Sequence, residues 1–254
     1  MKQFLVLLIV LIPARQAWSQ AGQARLHQSL QGYLGKGQLP SDVTLAGQIL
    51  DDRGSVKPFK MVVKGIDKVR YESGETITVF AGGGGWARTG GNGGKVQVLP
   101  AHAARRPEII PFLDLLSEID NPRIEVSSVQ PVTVGGQALE RVVLTLRDQH
   151  KDRRELRRPL DEQTSFYLDP ATALVVRSEH TLTAANNMDS HFHSTIDFLD
   201  YRRVDGVAIP YRIVQTVGSG STPLQRSTIT ITGVTLNQGI PDSTFMPPAP
   251  GGVR

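Results

Sequence analysis

The sequence predicts an α+β protein, in which a large curved antiparallel sheet of about eleven strands wraps around two or three helices. Three observations predict it. Period-two alternation of apolar and polar residues recurs in many short runs, the spacing of a half-buried strand. Tight-turn residues separate the runs and force antiparallel pairing. Only two mature segments carry helical apolar spacing, so they are the cover available to the inner face of the sheet. Residues 197–211, DFLDYRRVDGVAIPY, show the strand pattern best. One strand enters the turn Asp205-Gly206, and the next leaves with Val207, Ile209, Tyr211 and Ile213 on one face.

Residues 1–19 read as a signal peptide: Lys2 precedes the apolar run Phe4–Ile12, Pro13 breaks it, and Ala17-Trp18-Ser19 supplies small residues before Gln20. That run is well below the ~20 residues of a membrane span, and no later segment reaches that length. A single domain is expected over 20–246, with a Pro/Gly-rich flexible tail at 247–254. No cysteine is present, so neither a disulfide nor a cysteine-linked lipid is available. The chain must stabilise itself by core burial, and an export route without disulfides suits a bacterial periplasm. The formal charge is +4. Lys2 and Arg15 lie in the leader, and the tract Lys151–Arg158, KDRRELRR, accounts for the remaining excess. No basic helical stripe or aromatic–basic stacking motif accompanies it, which argues against nucleic acid as a partner.

The first mature segment, Gln20–Leu34, reads as a short amphipathic helix carrying Ala24, Leu30, Tyr33 and Leu34, ended near Gly35. Strands then follow around Val43–Ile49, Phe59–Val63, Asp67–Glu72 and Glu75–Phe80, the last two joined at Ser73-Gly74. Gly82–Gly94 is expected as a flexible hairpin loop, with Trp86 a packing or lid residue. A second helix is expected where Ile109, Phe112, Leu113, Leu116 and Ile119 form a stripe, with Pro107 and Pro111 near its first turn and Asn121-Pro122 ending it. Further strands are expected at Ile124–Val134, Ala138–Arg147, Thr164–Leu168, Leu174–Thr183, His191–Tyr201, Val207–Val217 and Ser227–Leu236.

Catalytic patterns are absent from the sequence. The glycine-rich tract lacks the Gly-x4-Gly-Lys-Ser/Thr spacing of a phosphate loop and stands in no βαβ unit. No G-x-S-x-G elbow occurs, and Asp197, Asp200 and Asp205 flank a turn rather than a cleft. His180, His191 and His193 would converge on a metal only if His180 faced His193. Matching apolar faces instead puts His180 on the side opposite His191 and His193, because one residue of register reverses every side chain. Neither a cofactor nor a metal site is therefore expected, and an enzyme is not.

Certain segments carry a family resemblance: KGIDKVRYES (Lys64–Ser73), GGGGWAR (Gly82–Arg88), FYLDPATALVVRSE (Phe166–Glu179), DFLDYRRVDGVAIPYRIV (Asp197–Val214) and the closing FMPP (Phe245–Pro248). In this order, around the two helices, they resemble the periplasmic lipoprotein-carrier superfamily (LolA/LolB-like), and more closely an exported branch of it in soil-type Gram-negative bacteria. The resemblance implies an unclosed barrel with a helical lid and an apolar cavity that shelters acyl chains. The expected function is a non-catalytic, exported, periplasmic binding protein, expected as a monomer, that holds acyl chains or a lipid-modified peptide. The alternative is an envelope-stress sensor or regulatory domain that uses the same fold to bind a membrane-anchored envelope protein. The inner-face binding residues are expected to be Phe59, Met61, Phe192, Ile196, Phe198, Tyr211 and Ile213, with Phe112 and Leu116 from the lid. Lys151, Arg153, Arg154, Arg157 and Arg158 are the candidates for contact with anionic headgroups or a partner.

Overall fold

The computed structural model describes residues 20–91, 94–99, 107–119, 121–146, 162–183, 191–219 and 222–248. The predicted signal peptide, the basic tract Lys151–Arg158, the turn Asn186-Asn187 and the last residues of the tail lie outside them.

Thirteen strands form one unclosed sheet: β1 (Asp42–Asp51), β2 (Val56–Lys64), β3 (Lys68–Ser73), β4 (Thr76–Ala81), β5 (Gly84–Arg88), β6 (Val96–Leu99), β7 (Ile124–Val134), β8 (Gln137–Leu146), β9 (Glu162–Leu168), β10 (Val175–Thr183), β11 (His191–Val204), β12 (Val207–Ser219) and β13 (Thr222–Leu236). Their hydrogen-bonded order is β6-β5-β4-β3-β2-β1-β13-β12-β11-β10-β9-β8-β7. Neighbours in this order are also neighbours in sequence, except that β1 pairs with β13. Helix α1 occupies residues 20–34 and helix α2 Pro111–Ile119.

The expected strand count of about eleven falls short by β5 and β6, both inside or beside the glycine-rich tract. Gly82 and Gly83 both have positive φ, which lets a two-residue turn fold β5 back on β4 with Trp86 opposite Val79. The tract is a hairpin, as expected, but its middle is a strand. Asp205 and Gly206 also both have positive φ, the backbone of the predicted tight turn.

The chain divides into two compact units. The first comprises residues up to Tyr33, Asp114–Phe198 and Gln215–Arg226. Its sheet carries α1 on one face. The buried positions of α1 are Gly22, Leu26, Ser29 and Tyr33, a helical stripe. This corrects the expected stripe: Ala24 is exposed and Leu30 half-buried. Close approach selects Gly22, because a Cβ there would overlap Cγ1 of Val126 and stand 3.0 Å from its Cβ and 3.2 Å from Val129 Cγ2. Tyr33 fixes the other end of α1. Its hydroxyl donates to the carbonyl of Val175 (3.3 Å) and accepts from the Val175 N–H (3.0 Å).

The second unit comprises Leu34–Leu113, Leu199–Val214 and Ser227–Arg254. Its inner face buries Val43, Leu45, Phe59, Met61, Val63 and Val69. On the outer face Val62, Val79 and Trp86 pack against Phe245 of a single 3-10 turn, Asp242–Phe245. Trp86 is thus a packing residue, and its Nε1–H donates to the Phe245 carbonyl (3.0 Å). Arg70 donates to the Thr244 carbonyl (3.1 Å), and Lys64 and Lys68 grip Asp242 at 2.7 and 2.9 Å. Those two ammonium groups hold the Asp242 carboxyl down to about 2. The approach of this segment is set by Asp42, whose carboxylate accepts the N–H groups of Gln238 (2.8 Å), Gly239 (2.9 Å) and Ile240 (3.4 Å).

Helix α2 begins at Pro111, four residues after Pro107, and Ile109 precedes it. Its buried residues are Pro111, Phe112, Leu113, Leu115 and Ile119, while Leu116 is half-buried. The expected stripe therefore holds except that Leu115, not Leu116, is its most buried central member.

Candidate functional site

In the first unit the register generates two rows on the face beneath α1. One row runs Val126–Leu144–Thr164–His180–Ser194 across β7 to β11, and the next runs Val129–Val142–Phe166–Ser178–Ile196. Phe198 is two residues beyond Ile196 on the same strand, and both are buried. Ser178 apart, the second row and Phe198 make an apolar floor, whereas the first turns polar at its β9–β11 end. There Thr164 Oγ1 and His180 Nδ1 lie 3.0 Å apart and His180 pairs with Ser194 across the ladder. Arg25 of α1 meets Glu140 at the edge of this face.

The histidine geometry follows from the same register. His193 lies opposite Thr181 and His191 opposite Thr183, while His180 lies opposite Ser194. His180 is therefore on the other side of the sheet from His193, as the apolar pattern requires. Among the described residues no group of His, Asp and Glu is placed to hold a metal ion.

The outer face of the first unit is a charged ladder. Arg141 stacks over the Tyr167 ring (5.7 Å) and hydrogen-bonds Ser165 (3.0 Å). The Tyr167 hydroxyl donates to Glu179 (2.6 Å), and Arg177 donates to Asp197 (2.6 Å). Burial, reinforced by the neighbouring Glu179 carboxylate, pushes the Tyr167 phenol up to about 12. The hydrogen bond from Arg177 to Asp197 raises the guanidinium still further. Asp197 is thereby committed to an ion pair.

In the second unit Met61 lies opposite Leu45 on one side and Tyr71 on the other, and Phe59 meets the Tyr71 ring edge-to-face at 5.5 Å. Burial pushes the Tyr71 phenol up, against a hydrogen bond with Ser73. Phe59, Met61, Phe112 and Ile213 are all buried. Tyr211 is half-buried, and the exposed Arg202, itself paired with Asp200 (2.6 Å), lies 4.2 Å over its ring. Of the expected binding residues, Ile196, Phe198 and Leu116 belong to the first unit and Phe59, Met61, Phe112, Tyr211 and Ile213 to the second. The side chain of Phe192 and the bases Lys151, Arg153, Arg154, Arg157 and Arg158 lie outside the described residues.

Sequence reasoning passed over Tyr71, Phe166, Ser178 and Ser29. Phe166 and Tyr71 could have been found from the alternation of their strands. Ser29 and Ser178 carried no signal, since a serine in an amphipathic pattern is read as solvent-facing.

The chain has a LolA-like fold. It superimposes on a domain from Vibrio parahaemolyticus assigned to outer membrane lipoprotein sorting, with a TM-score of 0.58 and 12% identity, covering 91% of this chain and 97% of that one. A LolA superfamily protein from Nitrosomonas europaea gives a TM-score of 0.53 at 10% identity, covering 91% of this chain and 98% of that one. No protein-family model matches the sequence, and no curated protein matches it. Among the described residues, no helix is long and apolar enough to cross a membrane.

Proposed function

We propose that this protein is an exported, periplasmic, non-catalytic carrier that shelters acyl chains or a lipid-modified peptide against its inner apolar faces. The observation that supports the reading most is the LolA-like fold over 91% of the chain, whose inner faces are apolar in both units. Burial of acyl methylenes against such faces contributes about 0.8 kcal/mol each, so a single chain supplies enough free energy without any reaction. Ile196 and Phe198 are the proposed contacts in the first unit, and Phe59 and Met61 in the second. Lys151, Arg153, Arg154, Arg157 and Arg158 are proposed to meet anionic headgroups at the donor or acceptor membrane, an attraction that salt screens.

Titration of the mature protein with a fluorescent fatty-acyl probe tests the reading. Saturable uptake is expected, reduced in Ile196→Trp or Met61→Trp variants whose circular dichroism is unchanged. Absence of uptake by the wild type, together with capture of one membrane-anchored partner protein, would replace the carrier with a protein-interaction role.

A further inference from the structure

Ser29 and Ser178 are both inaccessible to solvent, at 0% and 2% exposure, and neither hydroxyl has a hydrogen-bond partner among the described residues. A buried hydroxyl left in this state is costly, which makes each such group a candidate for binding something. In the first unit Ser29 is on the buried stripe of α1 and Ser178 on the sheet face that α1 covers. Ser178 interrupts the apolar row on the sheet, between Phe166 and Ile196. Ser29 is on the buried stripe of α1, one turn before Tyr33, whose hydroxyl is fixed to Val175 on the same strand as Ser178. Two residues further along β10 the face becomes polar, with His180, Thr164 and Ser194 side by side. The face thus has an apolar end at Phe166, Ile196 and Phe198 and a hydrogen-bonding end, with Ser178 at the boundary.

We propose that Ser29 and Ser178 anchor the polar group of the acyl cargo and select a neutral ester or amide over a free carboxylate. The inference rests on the carrier reading above. Hydroxyls donate to a carbonyl oxygen but cannot neutralise a charge. The two inner rows contain no lysine or arginine, and Arg25, at their edge, is already paired with Glu140. Among the described residues these rows offer a carboxylate no counter-ion, and desolvating it there unpaired is heavily unfavourable.

The test compares three probes on the mature protein at mildly alkaline pH: a fatty-acid methyl ester, the corresponding free acid, and an alkane of equal length. The ester is expected to bind at least about tenfold tighter than the acid. Ser29→Ala and Ser178→Ala are each expected to weaken the ester about two- to tenfold and leave the alkane unchanged. Neither substitution removes a hydrogen bond to the described residues, so neither should lower the melting temperature. Equal binding of ester and acid, or unaltered ester binding by both variants, overturns the inference while leaving the carrier reading intact. A lowered melting temperature with unaltered ester binding assigns the hydroxyls to the fold and also overturns it. Failure of the wild type to bind any of the three probes refutes the carrier reading instead.

Discussion

Replacing Gly22 by Ala probes whether α1 is seated on the inner face of the first unit. On an isolated helix the change stabilises by about 1 kcal/mol, because glycine loses more backbone entropy than alanine. Here the added methyl would enter the space of Val126 Cγ1 and stand 3.0 Å from Val126 Cβ and 3.2 Å from Val129 Cγ2. Valine is stiff at χ1, and rotating it does not move its Cβ. Overpacking of this kind costs about 1–3 kcal/mol, so the net effect is destabilisation by about 1 kcal/mol. For a chain of this size the melting temperature falls by about 2–4 °C. Urea denaturation followed by circular dichroism measures it. Val126→Ala alone should destabilise by about 2 kcal/mol through the void it leaves, and the double variant should recover part of both losses. A gain of about 1 kcal/mol in Gly22→Ala, with no coupling to Val126, would show that α1 does not rest on β7.

Three further outcomes follow from the described contacts. Burial raises the Asp42 carboxyl, but the N–H groups of Gln238, Gly239 and Ile240 and the Ser41 hydroxyl outweigh it and hold the group below its ordinary 3.8. Its contribution is therefore complete above that value and lost as pH falls through the lower folded value. Asp42→Ala should cost about 2 kcal/mol at neutral pH and flatten the acid limb of the stability profile. The Tyr167 phenol, raised from 10.0 to about 12, contributes stability that is complete below pH 10.0 and lost as pH rises through about 12. Tyr167→Phe should cost about 1–2 kcal/mol at neutral pH and remove that alkaline loss, as read by denaturation across the range. Phe245→Ala should cost about 2–4 kcal/mol and shift Trp86 emission to the red as the C-terminal turn lifts from the outer face; unchanged emission would contradict the packing of Trp86 against Phe245.

Local turn chemistry made much of the sheet legible. Asp205-Gly206 and Ser73-Gly74 are legible as turns, and the flanking alternation places most strand ends within a residue or two of the observed ones, although β2 starts three residues before Phe59, β11 runs three residues past Tyr201 and β13 starts five before Ser227. Register was also legible where apolar faces had to match, which is how His180 separates from His193. The stripe of α1 was not. Gly22 is buried because of a valine on a distant strand, and Ser29 is buried although its side chain is polar; hydrophobic periodicity detects neither. β5 was hidden because Gly84 and Gly85 supply no side-chain alternation, and only the paired positive φ of Gly82 and Gly83 brings Trp86 over Val79. Of the candidate site, the large apolar residues were visible and the hydroxyls among them were not.

Native mass spectrometry of the protein, exported in a Gram-negative host and purified without detergent, tests acyl carriage most directly. The carrier account predicts a population heavier than the bare polypeptide by masses that organic extraction identifies as acyl lipids, diminished in Ile196→Trp. A protein recovered only at its polypeptide mass, and still empty after incubation with acyl esters, would contradict it.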